Sequence, residues 1–436
     1  MKPTVIGKLL QALSPWRNAP AWHIAFSGGL DSTVLLHLLA NAKDLPPLSA
    51  IHIHHGLQAV ADTWPMHCQS ICDSLGVPLR IMRVHVQPGA SLERAARDAR
   101  YQAFAEVTGA GEVLLTGQHR DDQAETLLFR LLRGAGVRGL AAMPAHRPLA
   151  AGHLVRPLLD VSRVELEAYA HEHQLQWIED PSNADSRFSR NYLRHRVLPT
   201  LTERWPQAVS SLARTAEYLC EAQTLLDELA RMDLQVADQP SPFPWLTLPS
   251  LALAPLRELS DARQRNALRH WLAPLTRLPD SDHWASWYSL RDAKGDAQPL
   301  WHLADGELHR CAERIWWVPA AWSEFSDATV SWPTLQNPLE LPGNGRLVLV
   351  GKGPEGPLEI RYRQGGEIIE VPGRGRRDLK RLLNECGVPG FVRGRLPLLY
   401  RGQQLLAVPT LAGLWPTPTG DWQLHWMPQT CDQGLS

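Results

Sequence analysis

The chain has 436 residues, 44% of them hydrophobic and 20% charged, enough apolar material for two or three packed domains, which excludes a disordered or fibrous chain. A formal net charge of −1 excludes a global basic field, so any nucleic-acid surface must be local. No run approaches the roughly 20 apolar residues of a membrane span, and no charged segment followed by an apolar core opens the chain, so a cytoplasmic protein is expected.

In chain order, an apolar strand at His23 to Phe26 runs into Ser27-Gly28-Gly29-Leu30-Asp31-Ser32, and a helical run follows from Thr33 to Leu39. Adjacent glycines let consecutive N–H groups converge on phosphate oxygens, and the helix dipole adds to that attraction. No lysine follows, so this is not the loop that grips β and γ phosphates; ATP split between its α and β phosphates is expected, with pyrophosphate leaving.

Strands are predicted at Ser49 to His54, Leu79 to Val84 and Glu112 to Thr116, with helices through Cys68 to Leu75 and over Ser91 to Val107. This alternation is that of a doubly wound, mostly parallel sheet. Three chemistry-bearing segments fall at strand carboxyl ends: Ser27 to Ser32, His54-His55-Gly56, and Gly117-Gln118-His119.

A long helix is predicted over 206–236 and shorter ones at Asp261 to Leu272 and Ser281 to Arg291. Leu300 to Ala304 and Glu307 to Val318 flank Asp305-Gly306, a type I′ hairpin signal. Period-2 segments at Leu358 to Tyr362 and Gln403 to Val408 place a small α+β domain at 355–436. The expected division is a catalytic domain over 1–205, a mainly helical middle domain over 206–340, and a C-terminal domain over 355–436.

Asp122 and Glu125, three apart at the start of a helix, could hold Mg²⁺ or an ammonium group, or simply complement the helix dipole. His119 could position or deprotonate a nucleophile, or be structural. His52, His54 and His55 invite a metal reading, but alternation along a strand points His55 away from its neighbours, so nucleotide or substrate contact is preferred. The six cysteines form no Cys-x-x-Cys and read as free buried thiols.

Arg94, Arg97 and Arg100 share one side of a helix with Tyr101 close by. Residues 187–214 hold six arginines against one glutamate, and residues 361–395 nine basic side chains against four acidic, each a local +5 suited to phosphates.

Together these segments resemble the tRNA(Ile)-lysidine synthetase family of PP-loop ATP pyrophosphatases over nearly the whole chain. The pieces that carry the resemblance are Ser27 to Ser32, His54-His55-Gly56-Leu57, Glu93 to Tyr101, His119 to Thr126 with Arg133-Gly134-Ala135-Gly136, Arg156-Pro157-Leu158-Leu159, and Asp180-Pro181-Ser182-Asn183 through Arg190-Asn191. Near the C-terminus they are Arg363-Gln364-Gly365-Gly366-Glu367, Arg377-Asp378-Leu379-Lys380 and Gly387 to Leu398. Gln118 and Phe391 depart from the family pattern, where histidine and tryptophan are common.

The resemblance implies an adenine-nucleotide α-hydrolase-like fold and ATP-dependent ligation of the ε-amine of L-lysine to the first anticodon cytidine of an isoleucine tRNA with a CAU anticodon. It implies ATP phosphates on Ser27, Gly28, Gly29, Leu30, Asp31 and Ser32, and a site lined by Asp31, His119, Asp122 and Glu125, with Asp122 and Glu125 around Mg²⁺ or the lysine amine. It further implies tRNA or substrate contacts at Arg97, Arg100, Arg190, Asn191, Arg194, Arg363, Arg377, Lys380 and Arg395, and leaves a homodimer open. A tRNA thiolase is the nearest rival, disfavoured by the absent Cys-x-x-Cys; an amidotransferase-type ligase and a non-catalytic tRNA-binding protein are further alternatives.

Overall fold

In the computed structural model the described residues are 4–56, 59–86, 92–279, 283–294, 297, 299–311, 313–371, 373–411 and 422–429. Leu57, Ser91, Ser281 and Cys431, on which the sequence reading also drew, lie outside them. The chain divides into two units, Met1–Thr224 and Leu225–Ser436, with the boundary inside the helix Ala208–Ala237.

The first unit is built on strands β1 (Trp22–Ala25), β2 (Leu48–His54), β3 (Leu79–Arg83), β4 (Val113–Leu115), β5 (His146–Leu149) and β6 (Gly152–Val155). Their order is β3-β2-β1-β4-β6-β5, and every neighbouring pair is parallel except β5 with β6. After β1 the chain builds outward through β2 and β3, then returns to place β4 on the other side of β1. Loops leaving β1 and β4 therefore flank the crevice where doubly wound sheets bind ligands.

Up to residue 172 the α-helices among the described residues of this unit are α1 (Val5–Leu13), α2 (Leu30–Ala40), α3 (Trp64–Leu75), α4 (Leu92–Val107), α5 (Arg120–Leu131), the short α6 (Val137–Leu140) and α7 (Arg163–Glu172). In α2, Leu30, Val34, Leu35, Leu36, Leu38 and Leu39 are all buried, so the helix is apolar nearly all round and its N-terminus is fixed against the sheet. No helix among the described residues is long and apolar enough to cross a membrane.

Ser162 and Glu165 cap α7 reciprocally, and the Glu165 carboxylate also takes a 2.7 Å ion pair from Lys8 of α1. Burial opposes ionisation, but Lys8 and the two Ser162 donors outweigh it and hold the Glu165 pKa down to about 2. Because the folded-state pKa is depressed, the stabilisation is present above the unfolded value and is lost as pH falls towards about 2. The melting-temperature gap between wild type and Glu165→Gln should be largest at neutral pH and narrow steadily as scans are repeated below about pH 4.

Among the described residues the second unit contains three sheets. Ser250–Ala252, Arg314–Pro319, Gly306–Cys311 and Leu300–Leu303 form one, packed with the helices Leu253–Glu258, Asp261–Leu272 and Trp284–Asp292. The predicted hairpin forms, but not as a type I′ turn. Leu303 pairs with Gly306, the loop residues are Ala304 and Asp305, and none of these carries a positive φ. Gly306 belongs to the strand, at a position that takes only glycine because a Cβ there would collide with the Val318 carbonyl.

The remaining sheets are six-stranded, from Val330–Trp332 to Gly375–Asp378, and three-stranded, centred on Gly345–Gly351. Cys68 and Cys72 are buried free thiols as expected, whereas Cys386 is exposed because it ends the short helix Leu379–Glu385 on its solvent side.

Candidate active site

The loop after β1 is held by its own side chains. Ser27 Oγ lies 3.0 Å from Ser32 Oγ, the Ser32 hydroxyl donates to the Gly29 carbonyl at 3.0 Å, and Thr33 donates to the Gly28 carbonyl. Gly28 has φ +81°, and a Cβ would stand 2.6 Å from Ile178 Cδ1 and 2.9 Å from Cys68 Sγ, so only glycine fits. From the neighbouring strand, His52 is buried with Nδ1 against the Phe26 carbonyl at 2.9 Å.

Across the crevice, His119 is the N-cap of α5. Its Nδ1 receives the Asp121 amide, and the Asp122 carboxylate returns to the His119 amide at 3.1 Å, forming a capping box. His119 is wholly buried, with Nε2 3.6 Å from both Asp31 Oδ1 and Asp122 Oδ2. Burial alone would lower its pKa; Asp121, Asp122 and Asp31 outweigh it and raise the value. Asp31 is raised in turn, chiefly by burial, with His119 opposing. Neither Asp31 Oδ1 nor His119 Nε2 has a hydrogen-bond partner among the described residues, so the pair presents a buried, unmet polar surface beside the loop.

Asp122 and Glu125 face the 189–204 helix, which is α-helical over Ser189–Tyr192, π over Leu193–Val197 and α-helical again to Arg204. Arg190 Nε meets Glu125 at 3.0 Å and Arg194 Nε meets it at 2.6 Å, while both arginines also reach Asp122 Oδ1. Thus Ser27 to Ser32, Asp31, His119, Asp122, Glu125, Arg190 and Arg194 converge at one edge of the sheet.

A chain with such a loop and such a partnership of carboxylates matches the PP-loop domain over residues 1–201, the TilS substrate binding domain over 251–316 and the TilS substrate C-terminal domain over 358–426. The tRNA(Ile)-lysidine synthase of Pseudomonas fluorescens (strain Pf0-1) is 64% identical over 431 residues, covering 98% of both chains. The chain belongs to the tRNA(Ile)-lysidine synthase family.

The enzyme of the same name from Escherichia coli O157:H7 is 41% identical over 88% of this chain and 90% of its own. Among solved structures, a U34-tRNA thiolase from Methanococcus maripaludis is similar at 18% identity and a TM-score of 0.42, over 50% of this chain and 78% of that one, a likeness that carries no argument here.

Not every side chain expected to contact tRNA or substrate is turned outward to do so. Asn191 donates to the Ser182 and Asp185 carbonyls at 2.9 and 3.0 Å, so it brackets a loop. Arg395 is 4% exposed; it donates to Asn344 Oδ1 and the carbonyls of Trp322 and Gly343, with its guanidinium over the Trp322 ring. Its role in the fold is that of an internal clamp. Arg363 is half-buried against Glu367, whereas Arg377 and Lys380 are exposed and make no ion pair among the described residues.

Arg97 and Arg100 lie over Tyr101, joined by Arg147, which the sequence reading missed. Burial would raise the Tyr101 pKa, but Arg97, Arg156, Arg100 and Arg147 together lower it. Arg147 and Arg156 sit on or just after β5 and β6, far along the chain, and no local spacing pairs them with α4. His55 is pushed down to about 4 by burial and Arg100, so it is neutral. Among the described residues no group of three or more His, Cys, Asp and Glu side chains is arranged to hold a metal ion, which ends the three-histidine reading.

Proposed function

We propose that the crevice between β1 and β4 carries out lysidine formation on the first anticodon cytidine of an isoleucine tRNA with a CAU anticodon, in the cytoplasm. The cytidine O2 attacks the α-phosphorus of ATP, the bond to the β-phosphate breaks, and pyrophosphate leaves. The ε-amine of L-lysine then attacks C2, and the C2–O2 bond breaks as AMP departs with that oxygen and the amine loses a proton. The observation that supports this reading most is the placing of Asp31 and Asp122 3.6 Å from one buried histidine, with Glu125 joined to Asp122 through Arg190 and Arg194, beside a glycine loop that can cradle a pyrophosphate.

On this reading Gly28 and Gly29 bind the phosphates through their backbone, and Asp31, Asp122 and Glu125 take the positive charge that arrives. Of the crevice carboxylates it is Asp31, whose buried Oδ1 accepts no hydrogen bond from the described residues, that would offer an oxygen to Mg²⁺, which would neutralise charge on the leaving pyrophosphate. His119, having no exposed surface, is a positioning residue that orients Asp31 and Asp122.

The test is incorporation of radiolabelled lysine into two transcripts, one with the CAU anticodon and one with its first base changed, with ATP and Mg²⁺ present. Label on the CAU transcript alone supports the reading; AMP formation without label points to another nucleophile.

Arg377 and Lys380 suit contact with tRNA phosphates, because they stand exposed on and beside the edge strand Gly375–Asp378. Replacing both with alanine should weaken tRNA binding and flatten the salt dependence by about 1 to 2 in log–log slope, equally for the two transcripts. Filter binding across a salt series measures this.

A further inference from the structure

Every carboxylate oxygen of Asp122 and Glu125 is already engaged. Glu125 Oε1 takes Arg194 Nε at 2.6 Å, and Glu125 Oε2 takes Arg190 Nε and Arg194 Nη2, both at 3.0 Å. Asp122 Oδ1 takes Arg194 Nη2 at 3.1 Å and Arg190 Nη2 at 3.3 Å. Asp122 Oδ2 is held by the His119 amide. With Glu125 1% exposed, no cation reaches these oxygens unless a guanidinium leaves.

The backbone carrying Arg194 departs from regular α geometry. Arg194 lies in the π turn Leu193–Val197, between two α-helical turns of the same helix. Such turns are rare, hold one residue more than an α turn, and recur at functional sites. Passing to α geometry would rotate the side chains on one side of the turn by about 100°, the angle one residue spans.

There is also somewhere for an arginine to go. Arg190 lies close enough to Arg100 and Arg130 to disfavour their charged forms, adding to their burial, and neither of those side chains has a carboxylate partner among the described residues. That neighbourhood is short of negative charge, which a nucleotide phosphate supplies.

We propose that Arg190 and Arg194 form a displaceable latch that occupies the seat of the cationic ligand, an ammonium group or a divalent cation, until that ligand arrives. Entry exchanges one positive charge for another on the buried carboxylates, so they are never left uncompensated. The freed guanidinium turns to a phosphate, coupling occupancy of the acidic pair to occupancy of the nucleotide side. This rests on the reading of Asp122 and Glu125 as the cation seat.

The test is calorimetric titration of the intact protein, without tRNA or ATP, using L-lysine and MgCl₂ in separate arms. Arg194→Gln should bind one of the two about tenfold tighter than wild type, identifying the cation, and adding Glu125→Gln should abolish the gain. If the glutamine variant unfolds, Arg194→Lys, which keeps the charge but loses the fork, should shift affinity in the same direction by about threefold. Glu125-dependent binding that Arg194→Gln leaves unchanged or weakens would overturn the latch alone, as expected if Arg194 holds the lysine carboxylate. Binding of both cations that is insensitive to Glu125→Gln, in either background, would overturn the cation seat and the latch together.

Discussion

Glu125→Gln is expected to lower single-turnover lysine incorporation by about 10²–10³-fold, the scale of losing one preorganised electrostatic partner. The glutamate is 1% exposed and faces two guanidiniums, so an amide there leaves two partly buried positive charges to share Asp122 alone. Removing one partner of a buried ion pair costs about 3–5 kcal/mol, and unfolding should begin several degrees lower. Glu125→Asp keeps the charge but shortens the reach, and should recover stability more than turnover. Quench-flow incorporation and thermal unfolding on the same preparations separate the two effects; full turnover in the stable aspartate variant would remove the geometry of Glu125 from the chemistry.

Arg395→Leu is expected to destabilise the second unit by about 3–5 kcal/mol while leaving the tRNA affinity of the folded protein unchanged. Its guanidinium satisfies Asn344 Oδ1 and two carbonyls and lies over the rings of Trp322 and Phe325, 4.3 and 4.8 Å from their centroids. Leucine would strand those acceptors in a buried setting, at about 1–3 kcal/mol each before relaxation. Urea unfolding followed by tryptophan fluorescence reads the stability, because Trp316, Trp322, Trp332 and Trp426 are buried in that unit's core. Weaker tRNA binding at unchanged stability would instead return Arg395 to the nucleic-acid surface. The Arg377 and Lys380 substitutions should behave in the opposite way.

Charge counted along the chain overstated the basic surfaces for the same reason. In the run 187–214, Arg190 and Arg194 turn inward onto Asp122 and Glu125, and Arg187 pairs with Asp185. In the run 361–395, Arg361, Arg363, Arg374 and Arg381 are paired with glutamates, while Arg395 is buried. A local sum treats every side chain as solvated, whereas burial selects which ones meet water.

The parallel sheet, its glycine loop and the gathering of Asp31, His119, Asp122 and Glu125 at strand carboxyl ends were legible in the sequence. Each depends on short-range pattern: a strand running into Gly28-Gly29, a helix opening on His119 to Asp122, and apolar runs at strand spacing. Family membership was legible for the same reason, since its motifs are local strings of residues. What only the tertiary structure decided is which polar groups meet: Arg194 with Glu125 across 69 residues, Arg395 with Asn344 across 51, and Arg147 and Arg156 around Tyr101. Chain separation carries no information about such pairs, because their geometry is set by the packing of elements whose faces are chosen by apolar burial, and the polar groups find their partners within the arrangement that burial leaves.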